Sequence, residues 1–226
     1  MEAYENGGPQ KKPLNIGVFG PPGAGKSFGV TEISKAVLKA DVRILTFNLS
    51  QFNSPDDLNG AFHQVRDAVL SGRTPVVFWD EFDSQNYRWL QYLLAPMQDG
   101  AFQEGQISHP IGKCIFVFAG ATSPTCDTFG PLNPEDLYEE ERTAVTESRW
   151  QVIESQWNDF VLKKGPDFRT RLAGHLTVLG PNPRQVAELK SGARRWQPDP
   201  SDLFFPIRRA FFIRSQYKLK DSQQLP

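Results

Sequence analysis

The stretch GPPGAGKS, residues 20–27, follows the apolar run NIGVF, residues 15–19, and leads into SFGVTEISKAVLK, residues 27–39. Gly20, Gly25, Lys26 and Ser27 fit the spacing G-x-x-x-x-G-K-[ST] without a gap. Glycines at those places let the backbone turn so that its N–H groups point inward at phosphate, and a following helix adds the positive end of its dipole. Val30, Ile33, Val37 and Leu38 recur at helical spacing, so a helix follows the loop. In that arrangement the Lys26 ammonium reaches terminal phosphates and the Ser27 hydroxyl reaches Mg²⁺. The candidate phosphate cradle is therefore Gly20, Pro21, Pro22, Gly23, Ala24, Gly25, Lys26, Ser27 and the adjoining Phe28.

Working outward, strands and helices alternate. Residues 42–48 (VRILTFN), 75–79 (PVVFW), 114–119 (CIFVFA) and 175–179 (HLTVL) read as strands, the last closed by Gly180 and Pro181. Residues 55–70 open with Pro and two acids, the usual start of a helix. Residues 147–163 put Trp150, Ile153, Trp157 and Phe160 on one helical face. With residues 15–19 this makes five apolar strands separated by helices, which predicts an α/β fold: a five-stranded, mostly parallel sheet with helices on both faces. Residues 1–13 are polar, contain Gly7, Gly8, Pro9 and Pro13, and read as a flexible lead-in. No internal repeat or low-complexity tract interrupts the pattern.

The second chemical signal is VVFWDEFD, residues 76–83. Four apolar residues run straight into Asp80 and Glu81. An acid at a strand end beside a phosphate loop can hold the Mg²⁺ shell, the role predicted for Asp80 together with Ser27. Glu81 can orient and deprotonate an attacking water. Asp83 is expected to cap the next helix rather than join the chemistry.

Bulk composition sets the bounds. The 226 residues suffice for one large α/β domain, with or without a small second one. A net charge of −1 provides no global basic field for nucleic acid, although a local patch is compatible with it. Cys114 and Cys126 are too few for a four-ligand zinc site and suit a reducing cytoplasm. The N-terminal residues lack the apolar core of a signal peptide, and no apolar run approaches the ~20 residues that span a bilayer. His63, His109 and His175 show no ligand spacing, which predicts no metal site on them. Trp150 and Trp157, seven apart, read as a core or interface stripe.

The two acid and phosphate motifs together resemble the AAA+ superfamily of P-loop NTPases. A longer stretch resembles its Clp unfoldase class, in which the acidic strand is followed by a helix and a hairpin. Residues 90–112 (LQYLLAPMQDGAFQEGQISHPIG) place Leu93, Leu94, Asp99, Gly100 and Gly105 as in that class, and NLSQF (48–52) and LNGA (58–61) are similar to it too. Residues 167–179 (DFRTRLAGHLTVL) resemble the arginine-finger element of the family. The resemblance covers residues 14–182. It implies an ATPase that binds ATP with Mg²⁺, releases ADP and phosphate, and assembles with its own copies into a ring, a hexamer, acting on a protein or nucleic-acid target. Adenine is favoured through the resemblance, and no N-K-x-D element is present. Thr122 matches the sensor 1 position, with Ser123 second, and Arg171 matches the finger, with Arg169 second. Residues 183–226 then form a short or incomplete helical lid, in which FPIRRA (205–210) resembles the sensor 2 helix; its arginine position falls on Phe205, leaving Arg208 or Arg209 to substitute or to form a solvated basic face.

One departure bears on function. The Clp class carries an aromatic substrate-gripping loop soon after the segment matching LNGA, whereas here Ala61 runs directly into FHQVRDAV. This argues against threading of polypeptides through a pore. Three function classes follow: a ring ATPase that remodels a macromolecular partner, a nucleotide-gated switch in a larger protein, and a binding module with little turnover. Intact Asp80 and Glu81 speak against the third.

Overall fold

Strands buried on both faces cannot alternate apolar with polar residues, and the central strands here do not. The computed structural model describes residues 1–8, 11–38, 42–137, 142, 145–190 and 193–222. Strands β1 (Leu14–Phe19), β2 (Ile44–Asn48) and β3 (Val76–Asp80) join β6 (Ile115–Ala119) and β7 (Gly174–Thr177) in one five-stranded sheet. Its order is β2-β3-β6-β1-β7, and every pairing is parallel. All five residues of β6 are buried, as are the first four of β3, whereas the edge strand β7 is exposed throughout.

Alternate residues of each strand serve two different cores. Phe19, Val77, Trp79, Phe116 and Phe118 meet helices α3 (Pro55–Leu70), α4 (Leu90–Asp99), α5 (Glu147–Leu162) and α6 (Gly165–Thr170) through Phe62, Leu93, Phe160 and Phe168. On the other face Val18, Val76, Phe78, Ile115 and Val117 meet Val30 of helix α2 (Lys26–Leu38). The first core is dominated by aromatic rings in edge-on and stacked contact, such as Phe47–Trp79 at 5.1 Å and Phe82–Phe168 at 5.1 Å between centroids. The amphipathic face expected for residues 147–163 is present, with Ile153 and Phe160 buried and Trp150 and Trp157 half-buried.

Local chemistry sets the element ends. Pro55 opens α3, and the Asp57 carboxylate accepts the N–H groups of Asn53 and Ser54, hydrogen bonds that hold its carboxyl below the usual carboxylate range. α4 stops at Gly100 in a left-handed cap, its N–H bonded to the Pro96 carbonyl. The antiparallel pair β4 (Ala101–Glu104) and β5 (Ile107–Pro110) then carries the chain into β6.

Two regions differ from the expectations. The polar lead-in is not without structure: α1 (Glu2–Glu5) sits on the second core through Met1 and Tyr4, the Tyr4 hydroxyl donates to the Lys12 carbonyl, and Lys113 donates to the Glu5 carbonyl. Two aromatic and sulfur side chains among polar neighbours suffice to anchor it. In the C-terminal region the expected helix is α7 (Phe205–Ser222), but it is preceded by an antiparallel hairpin, β8 (Gln185–Lys190) with β9 (Ala193–Pro198). QVAELK is made largely of helix formers, and cross-strand pairing overrides that preference.

Gly100 has φ +66°, and a Cβ there would lie 2.1 Å from the Lys11 carbonyl oxygen. Gly100→Ala is expected to cost about 2 kcal/mol through the left-handed backbone alone, and more through the clash. Urea unfolding measures this, and an unchanged midpoint would contradict the packing of residues 11 and 12 on this cap.

Candidate functional site

The phosphate loop leaves β1 and lies against the end of β7. A Cβ on Gly20, φ +147°, would sit 2.3 Å from the Val178 carbonyl oxygen, so only glycine permits this approach. Gly23 and Gly25 also have positive φ, but nothing lies within 4 Å of where their Cβ atoms would be. Their bare backbone therefore faces open space, as a phosphate cradle requires. The loop lines a cavity of about 390 Å³ with Pro22, Gly23, Ala24, Gly25, Lys26, Ser27, Phe28, Asp80, Glu81, Gly120 and Ala121. Of the sequence-predicted cradle, Gly20 and Pro21 lie behind this lining; their carbonyls accept from Lys26 Nζ at 2.7 and 3.1 Å.

Register explains the convergence. Val18 and Asp80 are both paired with Ala119, so β6 lies between the strand that feeds the loop and the strand that delivers the acids. Two strand spacings separate those outer backbones by roughly 9.5 Å, which leaves room for a phosphate chain between Lys26 and Asp80. Burial pushes the Lys26 ammonium down and the Asp80 carboxyl up from their ordinary values, and each opposes the other's shift. An acid and a base whose charged forms are both disfavoured by burial are stabilised by a ligand that carries both a cation and phosphate. Ser27 and Asp80 both line the cavity, and their oxygens fit the donor set of Mg²⁺.

Glu81 reaches the cavity from an unusual backbone, φ +52°, and a left-handed turn follows at Gln85, Asn86 and Tyr87. Here the expectation for Asp83 fails. Its side chain caps no helix. It accepts from the backbone N–H groups of Ala121 and Thr122 at 3.0 and 2.9 Å, and from the Thr122 hydroxyl. The left-handed turn supplies no regular helix start for it, while three donors stand ready on the loop after β6. Asp83 thereby ties the two acid-bearing and loop-bearing strand ends together.

The same contact displaces the expected sensor. Thr122 spends its hydroxyl on Asp83 and lines a neighbouring cavity with Tyr87, Ser123, Arg149 and Arg194 rather than the phosphate cavity. Ser123 donates to the Thr128 carbonyl. Gly120 and Ala121 stand at the cavity instead. Arg171 is also committed within the chain: it donates to Gln98 Oε1 through Nε and Nη2 at 2.9 and 2.6 Å, and to the Asp167 carbonyl. Arg169 pairs with Asp127 at 3.3 Å on the surface. Neither arginine lines the cavity of its own chain. Arg208 ion-pairs with Asp202 at 2.6 Å and donates to the carbonyls of Gly180 and Asn182, while Arg209 is exposed. Gly180 in turn lies against Ala24 of the phosphate loop, so Arg208 braces the cradle from behind.

The histidines are not all scattered, as their spacing had suggested. His63 and His109 come together with Glu104, on α3 and the β4–β5 pair, away from the phosphate cavity. Their sequence separation carries no signal, because it is the packing of α3 on the β4–β5 pair that brings them into contact.

Residues 16–124 match the family model described as "ATPase family associated with various cellular activities (AAA)". That segment is thus similar to an AAA domain. The matched segment holds the phosphate loop, Asp80, Glu81 and the loop after β6. Among solved structures the chain is similar to an ADP complex of Hsp104 from S. cerevisiae, at 12% identity over 75% of this chain and 29% of that one, TM-score 0.44. It is similar also to NtrX from Brucella abortus with ATP, at 17% identity over 54% of this chain and 28% of that one, TM-score 0.39. A third is a closed state of Hsp104 with ATPγS and FITC casein, at 12% identity over 74% and 29%, TM-score 0.46. The chain thus spans less than a third of the length of each. No curated protein matches it.

On the reading that this loop holds phosphate, Lys26→Ala removes a phosphate contact and the bonds to the Gly20 and Pro21 carbonyls, but no core packing. Charge-assisted hydrogen bonds are worth about 1.5–3 kcal/mol each, so Mg-ATP affinity should fall at least about tenfold by calorimetry, with the thermal midpoint retained. Parental affinity in the folded variant would remove Lys26 from the site.

Proposed function

We propose that this AAA domain binds ATP with Mg²⁺ in the cavity at the ends of β1, β3 and β6, and hydrolyses it to ADP and phosphate. The observation that carries the reading is the convergence of Lys26, Ser27, Asp80 and Glu81 on one cavity whose glycine backbone is open. In the proposed reaction the loop N–H groups and Lys26 hold the β- and γ-phosphates, and Ser27 and Asp80 hold the metal. Bound Mg²⁺ supplies charge neutralisation on the phosphate oxygens. Glu81 accepts the proton of the water whose oxygen attacks the γ-phosphorus, as the bond to the ADP oxygen breaks. Residues 14–182 form the nucleotide-binding domain and residues 183–226 a reduced or partial helical lid. The two buried, unpaired cysteines suit a reducing cytoplasm, and among the described residues no helix is long and apolar enough to cross a membrane.

The domain works as part of a homo-oligomeric ring, a hexamer, whose nucleotide sites are shared, with Arg171 presented to a neighbour's γ-phosphate. For that role Arg171 exchanges Gln98 for the nucleotide. The ring couples hydrolysis to remodelling of a protein or nucleic-acid partner. A second reading, a nucleotide-gated switch in a larger protein, is favoured by the unbroken helix α3, which leaves no gripping loop after Ala61.

Glu81→Gln keeps the shape of the side chain and removes the base. ATP affinity should be retained while turnover falls by about two orders of magnitude or more. A variant that turns over at the parent rate would make Glu81 structural.

Specific activity should rise with protein concentration as shared sites form, and Arg171→Ala should abolish that rise with little change in ATP affinity. Mixing Arg171→Ala with Glu81→Gln should restore part of the activity, since some mixed interfaces regain a complete site. No recovery despite demonstrated co-assembly would exclude Arg171 as the finger.

A further inference from the structure

The β4–β5 pair carries a second constellation of side chains. His63 stands on α3, Glu104 at the end of β4 and His109 on β5. His63 Nε2 lies 3.0 Å and His109 Nε2 3.5 Å from the same oxygen, Glu104 Oε2. The three ligand atoms all lie within 4.8 Å of one another. Both imidazoles are oriented by the buried ring of Phe102, which meets His63 edge-on at 4.9 Å and stacks on His109 at 5.1 Å. His109 Nε2 is itself buried and makes no hydrogen bond.

We propose that His63, Glu104 and His109 form a binding site for a transition-metal dication, with zinc the best match. Two imidazole nitrogens and one carboxylate oxygen suit zinc and its neighbours, whereas Mg²⁺ and Ca²⁺ favour all-oxygen sets. Bonds of about 2.0–2.1 Å in a tetrahedron put ligand atoms ~3.3 Å apart, between the two separations to Glu104. Three protein ligands leave a fourth position, and the site opens to solvent there: the side chains of His63 and Glu104 are 34% and 54% exposed. Bound metal would clip α3 to the hairpin that leads into β6.

Arg66, one turn beyond His63, is the competitor. Its Nη1 lies 3.0 Å from His109 Nδ1, and a guanidinium can only donate. That contact fixes the Nδ1 lone pair and leaves the proton of neutral His109 on Nε2. Metal binding through Nε2 therefore shifts that proton to Nδ1 and turns Arg66 out into solvent. Metal-ligating histidines usually give their other N–H to an acceptor, which Arg66 denies.

The test uses the tag-free full chain, stripped of metal and free of nucleotide, titrated with Zn²⁺ against a chromophoric chelator. One saturable equivalent is expected. His63→Ala, His109→Ala and Glu104→Gln should each weaken it on the order of tenfold or more, and His175→Ala should leave it unchanged. Arg66→Gln removes the competing cation and offers an amide oxygen to Nδ1–H, so it should tighten binding, also on the order of tenfold. This gain keeps the proposal testable even where a histidine variant fails to fold. Absence of saturable binding, binding that survives His109→Ala, or no gain in Arg66→Gln would overturn it and leave Glu104 as a hydrogen-bond partner of His63 alone.

Discussion

The backbone ladder that holds β6 between β1 and β3 is the constraint on which the nucleotide cavity rests. Each residue of β6 is paired on both sides, and Ala119 stands level with both Val18 and Asp80. A slip of one residue on either side would reverse the faces of the slipped strand, sending Trp79 or Phe19 out of the aromatic core and turning the strand end away from the cavity. The register is guarded by burial: the five residues of β6 are inaccessible, with Phe116 and Phe118 set among the rings of Phe62 on α3, Trp79 on β3 and Phe168 on α6, and Ile115 and Val117 in the second core. Packing energy thus enforces the geometry in which the phosphate loop and the two acids face each other.

A second link joins the same strand ends from outside the sheet. Asp83 accepts from Ala121 and Thr122, so the turn that carries Glu81 moves with the loop that carries Ala121. The turn is strained, with Glu81, Gln85, Asn86 and Tyr87 all at positive φ. Left-handed backbone costs roughly 1–2 kcal/mol per non-glycine residue. Offsetting contacts are visible for three of them: Gln85 donates to the carbonyls of Ser50 and Phe52, Asn86 donates to Asp159, and Tyr87 packs edge-on against Phe129 and Phe160. Strain held in place by many partners is what positions an acid for chemistry. Helix α7 reaches the cavity by a comparable route, through Arg208, Gly180 and Ala24.

Much of the fold was legible in one dimension because its signals are local. Unbroken apolar runs mark strands buried on both faces, and Pro55 with its acids marks a helix start. The spacing of Gly20, Gly25, Lys26 and Ser27 is a backbone geometry written directly as residue types. Asp80 and Glu81 could be read for the same reason, since a strand that ends in acids delivers them wherever its neighbours deliver the loop. The hairpin at residues 185–198 was not legible, because QVAELK has the composition of a helix and is a strand only by virtue of its partner.

The sequence by itself determined the parallel α/β architecture, the glycine loop after β1 and the acidic pair beside it, since each depends on residues adjacent in the chain. Tertiary structure alone decided what the remaining polar groups do. Asp83 leaves its own turn for the loop at residues 121–122, Thr122 is spent on Asp83, Arg171 is held by Gln98, and His63 on α3 meets Glu104 of the β4–β5 pair. The physical reason is common to all four. A side-chain donor or acceptor takes the partner that burial and geometry bring within about 3 Å, and that partner lies tens of residues away.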